Sequence, residues 1–84
     1  MEHAELFEKM AQSVIAGEAD DSAALAHKAL ELGIRPLDAI DEGFVKGIRV
    51  VGDRFGAGEL FLPELVMSAE AMKAALAILE PELA

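Results

Sequence analysis

Residues 35–55 read RPLDAIDEGFVKGIRVVGDRF and predict one long helix. Pro36 is a favourable first residue, because the hydrogen bond that proline lacks is not available to any residue at that position. Gly43 and Gly47 each cost about 1 kcal/mol relative to alanine in a helix interior. Since they lie four residues apart on one face, they predict that another backbone approaches closely there; the alternative is a hinge. The apolar side chains recur at helical spacing: Leu37, Ile40, Phe44, Ile48, Val51 and Phe55.

Two helices are predicted before this segment and one after it. The first covers residues 2–16 and stops at Gly17, and the second starts at the capping residues 20–22 and stops at Gly33. The last covers residues 63–80, between two prolines. Short connections make neighbouring helices antiparallel, so the predicted fold class is all-α, an up-down antiparallel four-helix bundle. The expected apolar stripes are Leu6, Phe7, Met10, Val14 and Ile15; Leu25, Ala29 and Leu32; and Val66, Ala69, Met72, Leu76 and Leu79.

Length and composition exclude several classes of protein. The 84 residues suffice for one domain, residues 1–84, with one modest core. Seven basic and 16 acidic residues give a net charge of −9, which repels a phosphate backbone, so no nucleic-acid partner is expected. The chain has no cysteine, no apolar run long enough to span a membrane, and acids where a signal peptide carries bases. No membrane contact is expected, and the cytoplasm is the default location.

Polar side chains do not form a pattern typical of a catalytic or metal site. His27 and Glu31 lie four residues apart without a third ligand at metal spacing. Asp38, Asp41 and Glu42 fall in the first turns of the third helix, where acids complement the helix dipole. The three serines have no histidine placed to activate them. The chain is therefore predicted to have no catalytic residue and no metal ligand.

One connection is unusually apolar. Residues 56–62, GAGELFL, place Leu60, Phe61 and Leu62 directly after Phe55, although loops are normally polar. A cluster of this kind usually marks a contact site. The alternative is that some of these four side chains fold back and close the end of the bundle.

Residues 50–81, VVGDRFGAGELFLPELVMSAEAMKAALAILEP, resemble the helical cap domain of cobalamin-binding methyl carriers. These are the corrinoid proteins of methanol, methylamine and related methyltransferase systems, together with the matching module of cobalamin-dependent methionine synthase. The resemblance extends upstream through residues 29–55. It depends on a combination of pieces in fixed order: Val-Gly-Asp, a phenylalanine two residues on, a glycine-containing turn, Phe-Leu-Pro, and Ser-Ala followed by Met-Lys.

The resemblance implies a function. In this family the four-helix bundle covers the upper face of the corrin ring, and a following Rossmann-like domain holds the lower ligand of cobalt. The cap shields the reactive cobalt from water and moves aside for a methyltransferase, so the chain is expected to be a non-catalytic cap domain of a methyl carrier. Phe55 and Leu62 match the family's residues that press on the upper ligand. Leu65 and Val66 match neighbours of that contact.

The chain also departs from the family pattern. It lacks the lower-ligand motif Asp-x-His-x-x-Gly and any βαβ pattern that could carry it. We therefore expect a fragment that ends at the inter-domain linker and does not bind cobalamin tightly alone; the alternative is a natural stand-alone protein. The expected partners are the Rossmann-like cobalamin domain of the full-length protein and methyltransferase subunits. The alternative is a helical interaction module whose residues 55–66 dock a partner helix or a second copy as a homodimer.

Overall fold

The computed structural model describes residues 3–83, and all the regular elements within them are helical. Together they form four helical rods, which confirms the predicted all-α bundle. The third rod is continuous, because α3, a π-helical turn and α4 follow each other without a break. The elements are α1 (Ala4–Ile15), α2 (Ala19–Glu31), α3 (Pro36–Ala39), the π-helical turn (Ile40–Phe44), α4 (Val45–Gly56), α5 (Leu62–Leu79) and a 3-10 turn (Glu80–Leu83).

Three helices end in the same way, at a glycine with positive φ. Gly17, Gly33 and Gly58 have φ values of 70°, 76° and 79°. Each glycine N–H donates to the carbonyl three residues earlier, and the next N–H donates to the carbonyl five residues earlier. Glycine adopts this left-handed conformation without the steric cost that a Cβ brings. The predicted stops at Gly17 and Gly33 are confirmed, and Gly58 ends α4.

The core lies between all four rods. Phe44, Met10 and Leu79 are the largest fully buried side chains. Helix α2 makes its most extensive contact with α5, and both helices contribute small buried residues to the core, including Ala26, Ala29 and Ala75. Small side chains let two helices lie close together, so burial here depends on close backbone approach as well as on large side chains.

The glycine pair in the third rod explains how α1 packs. A Cβ at Gly47 would lie 2.5 Å from the carbonyl oxygen of Ala11 and 2.9 Å from its Cα. A Cβ at Gly43 would lie 2.6 Å from the sulfur of Met10. The predicted close approach is confirmed, and the approaching backbone belongs to α1.

The predicted cap of α2 was wrong by two to four residues, because the N-cap residue is Glu18. The helix begins at Ala19, so Ser22 lies inside it and does not cap it. Ser22 is fully buried, and its Oγ lies 2.6 Å from the Oγ of Ser13, which donates to the carbonyl of Met10 at 2.7 Å. The hydroxyl that resembled a cap in the sequence instead joins α1 to α2.

Parts of the predicted apolar stripes were also wrong. The buried face of α5 contains Ser68, Ala71, Ala75 and Leu79, whereas Ala69 is exposed. Because α5 is apolar nearly all round, its periodicity does not identify the buried side. Contact with α2 selects the side with small residues. Four other members of the expected stripes are exposed: Phe55 and Val66 at one end of the bundle, and Leu32 and Leu37, about half exposed, at the opposite end.

Candidate functional site

One end of the bundle exposes a group of large apolar side chains, which we call the apolar tip. It comprises the end of α4, the following loop and the first turns of α5. Leu60, in the same loop, is half-buried. Of the four side chains that the sequence analysis considered, Phe55, Phe61 and Leu62 stay exposed, as a contact site requires, whereas Leu60 partly folds back, as the alternative allows. The members of the apolar tip and their exposed fractions are Phe55 40%, Phe61 78%, Leu62 61%, Val66 52% and Met67 55%.

Two backbone features hold the loop of the apolar tip in place. On the α4 side, the positive-φ turn at Gly58 lets the N–H of Glu59 donate to the carbonyl of Arg54 at 2.9 Å. On the α5 side, the N–H of Phe61 donates to Oε1 of Glu64 at 2.8 Å. The loop is thus attached to the helix on each side of it.

The turn between α1 and α2 supports the apolar tip from behind. A Cβ at Gly17 would lie 2.9 Å from the Cβ of Met67 and 3.3 Å from its carbonyl carbon. The glycine turn therefore packs directly on the backbone of α5. This contact helps to fix the first turns of α5, and with them the exposed face of Val66 and Met67.

The structure places the four residues matched by family resemblance at this same end. Phe55, Leu62 and Val66 belong to the apolar tip, and Leu65 is half-buried beside them. Their contact with cobalamin stays a prediction. The resemblance gave no contact role to Phe61, which is the most exposed large apolar side chain within residues 3–83. Its position inside the GELFL run is the sequence signal that could have added it.

The chemistry of the apolar tip is limited to contact and exclusion of water. Its five side chains contain no oxygen or nitrogen, and the one heteroatom is the thioether sulfur of Met67. Within residues 3–83, no group of three or more histidine, cysteine or acidic side chains could hold a metal ion. None of the helices described is both long and apolar enough to cross a membrane.

Two open grooves lie elsewhere on the surface. One, between α1 and α2, has a volume of about 510 Å³ and is bordered by Glu8, Glu18 and Asp21. The other, between α1 and the third rod, has a volume of about 410 Å³ and is bordered by Asp38 and Glu42. No residue of the apolar tip lines either groove. The apolar tip is therefore separate from both grooves.

Known proteins with similar sequences are corrinoid proteins. A family model described as a B12 binding domain matches residues 6–80. Monomethylamine corrinoid protein 1 of Methanosarcina acetivorans is 43% identical over 83 residues, which cover 99% of this chain and 38% of that protein. A corrinoid protein of Desulfitobacterium hafniense is 48% identical over 79 residues, which cover 94% of this chain and 37% of that protein. The chain therefore spans well under half the length of these relatives.

Solved structures agree with the sequence matches. The monomethylamine corrinoid protein of Methanosarcina barkeri superposes with a TM-score of 0.93 at 37% identity, over 96% of this chain and 38% of that one. The methanol:cobalamin methyltransferase complex of the same organism gives a TM-score of 0.82 at 34% identity, over 92% of this chain and 30% of the matched chain. The chain belongs to the family of B12 binding domains, and its bundle corresponds to the helical cap of corrinoid proteins.

Proposed function

We propose that this bundle covers the upper face of cobalamin in a methyl carrier and that the apolar tip is the covering surface. The observation that carries the proposal is the exposure of Phe55, Phe61 and Leu62 at one end of a bundle whose core is complete without them. Exposed apolar patches on small domains usually mark contact sites. The corrinoid relatives favour this role over the alternative interaction module.

The residues present fit this role. A surface over a reactive cobalt must not compete with the methyl group as a ligand, and the apolar tip carries no histidine, cysteine or carboxylate; its one heteroatom is the uncharged thioether sulfur of Met67. Aromatic and aliphatic side chains also match a broad, flat partner. Cobalamin, when bound, supplies the cobalt that carries the methyl group. The residues of this chain would exclude water from that side.

The size of the apolar tip suits a lid better than an independent binding site. Burying what is still exposed of its five side chains is worth on the order of 5 kcal/mol. Bringing two free molecules together costs roughly 4–15 kcal/mol. The apolar tip alone would therefore hold cobalamin weakly. When a Rossmann-like domain of the same protein holds the cofactor, the apolar tip can cover it and, because the contact is weak, still move aside for a methyltransferase subunit.

The proposal is tested by joining the chain to a Rossmann-like cobalamin domain from a corrinoid relative and replacing Phe55 and Leu62 by alanine. We expect faster photolysis of the methyl-cobalt form and faster oxidation of reduced cobalt, because water and oxygen reach the metal more easily. A matched control replaces Leu32 and Leu37, which are about half exposed at the opposite end of the bundle. Equal rates in the two double variants would refute the shielding role.

A further inference from the structure

The position of Phe61 is not set by side-chain packing. Its side chain is 78% exposed, so few neighbours restrain the ring. Phe61 is also the residue before the first helical residue of α5, where its backbone is extended, with φ −96° and ψ 162°. The direction of the ring therefore depends on how firmly this one residue's backbone is held.

Glu64 holds that backbone from both sides. The N–H of Phe61 donates to Oε1 of Glu64 at 2.8 Å. In return the carbonyl of Phe61 accepts the backbone N–H of Glu64 at 3.1 Å. Helices usually begin at a residue whose side-chain oxygen accepts such bonds, and phenylalanine has none. The side chain that reaches back from the third helical position is the part of a capping box that this helix retains.

We infer that Glu64 is a positioning residue that fixes the conformation of the apolar tip at Phe61. The inference rests on the proposed function, because the tip matters only if it covers something. Since the bond joins a charged acceptor to a backbone donor, it is stronger than a neutral bond, and covering the tip would remove the water that could replace it. Losing Glu64 would free the dihedral angles of Phe61 while leaving the core intact.

The first measurement follows the amide of Phe61 in this 84-residue chain by hydrogen exchange and NMR. Glu64→Ala should speed exchange of that amide about fivefold, the usual effect of losing a cap. Glu64→Gln should speed exchange much less than Glu64→Ala does, because its amide oxygen can still accept the bond, although without the charge. Glu59→Ala removes an exposed charge from the same loop and serves as the control. Unchanged exchange in Glu64→Ala, or equal loss in Glu64→Gln, would overturn the inference.

The second measurement uses the fusion to a cobalamin domain described above. Glu64→Ala should raise the rates of photolysis and oxidation, and Glu64→Gln should return them most of the way to the wild-type rates. A change in net charge alone would raise the rates equally in both variants. If the Phe55 and Leu62 double variant raises the rates and Glu64→Ala does not, the role of Glu64 is refuted and the lid stands. If neither variant raises them, the lid itself is refuted, and a positioning role in it as well.

Discussion

Replacing Gly47 by alanine tests the closest contact in the bundle. The added Cβ would lie 2.5 Å from the carbonyl oxygen of Ala11, 2.9 Å from its Cα and 3.0 Å from its carbonyl carbon. All three atoms belong to the backbone of α1, so no rotamer change can relieve the overlap. Helix α1 must therefore move away from α4, and the core between them must open.

The expected cost follows from two opposing effects. Overpacking a well-packed site typically costs ~1–3 kcal/mol, and an obstacle made of backbone favours the upper part of that range. Alanine in place of glycine in a helix interior contributes about 1 kcal/mol in the other direction. We expect Gly47→Ala to lose about 1–2 kcal/mol of unfolding free energy. For a domain of this size that lowers the melting temperature by roughly 5–15 °C.

Gly52→Ala is the matched control, because Gly52 lies in the same helix and a Cβ there meets nothing within 4 Å. It should raise the unfolding free energy by about 0.4–1 kcal/mol, since only the conformational effect remains. The chain has no tryptophan or tyrosine, so urea and thermal unfolding are followed by far-ultraviolet circular dichroism. A Gly47→Ala protein as stable as wild type would refute the packing argument. A destabilised Gly52→Ala protein would refute the argument that alanine stabilises a helix interior relative to glycine.

Three further predictions concern the turns, the buried hydroxyls and the apolar tip. Gly17→Ala should lower the melting temperature more than Gly33→Ala. Alanine at either position must adopt a left-handed conformation, which costs about 1–2 kcal/mol of stability. Only at Gly17 does the added Cβ also meet another helix, at 2.9 Å. Equal losses would contradict this. Ser13→Ala should lower the free energy of unfolding in urea by about 1–2 kcal/mol, because the fully buried hydroxyl of Ser22 loses its partner. Ser22→Ala should lower it less, because Ser13 keeps its bond to a carbonyl of α1. The reverse order would show that the two hydroxyls are not hydrogen-bonded in this way. Phe61→Ala should change the unfolding free energy by no more than about 0.5 kcal/mol, since the ring is mostly exposed, and a larger loss in urea unfolding would place Phe61 in the core.

The sequence was most informative where one residue type has one physical use. Pro36 begins α3, and Gly33 ends the turn after α2 with positive φ. Gly43 and Gly47 lie where α1 approaches, because the absence of a side chain is the property that such a contact requires. The apolar loop was visible for a similar reason, since Phe61 and its neighbours have no local use in a connection that faces water.

The sequence was less informative where a residue has several uses. Ser22 looks like a capping residue, yet it lies within α2 and bonds Ser13 across the hairpin. The π-helical turn, in which the N–H of Val45 donates to the carbonyl of Ile40, leaves no mark in the apolar periodicity. Local preferences do not determine the role of Ser22 or the π-helical turn, and both α2 and that turn contact α1.

Local chemistry thus determined the class of fold, the order of the helices and most of their ends, because proline and glycine act on the backbone of their own segment. The apolar loop and its family resemblance were also legible from the sequence. Only the tertiary structure decided which side of α5 is buried and which of the large side chains at residues 55–67 stay exposed. Those choices depend on which helix lies alongside, and an apolar side chain is equally suited to a core or to a partner until its neighbours are in place.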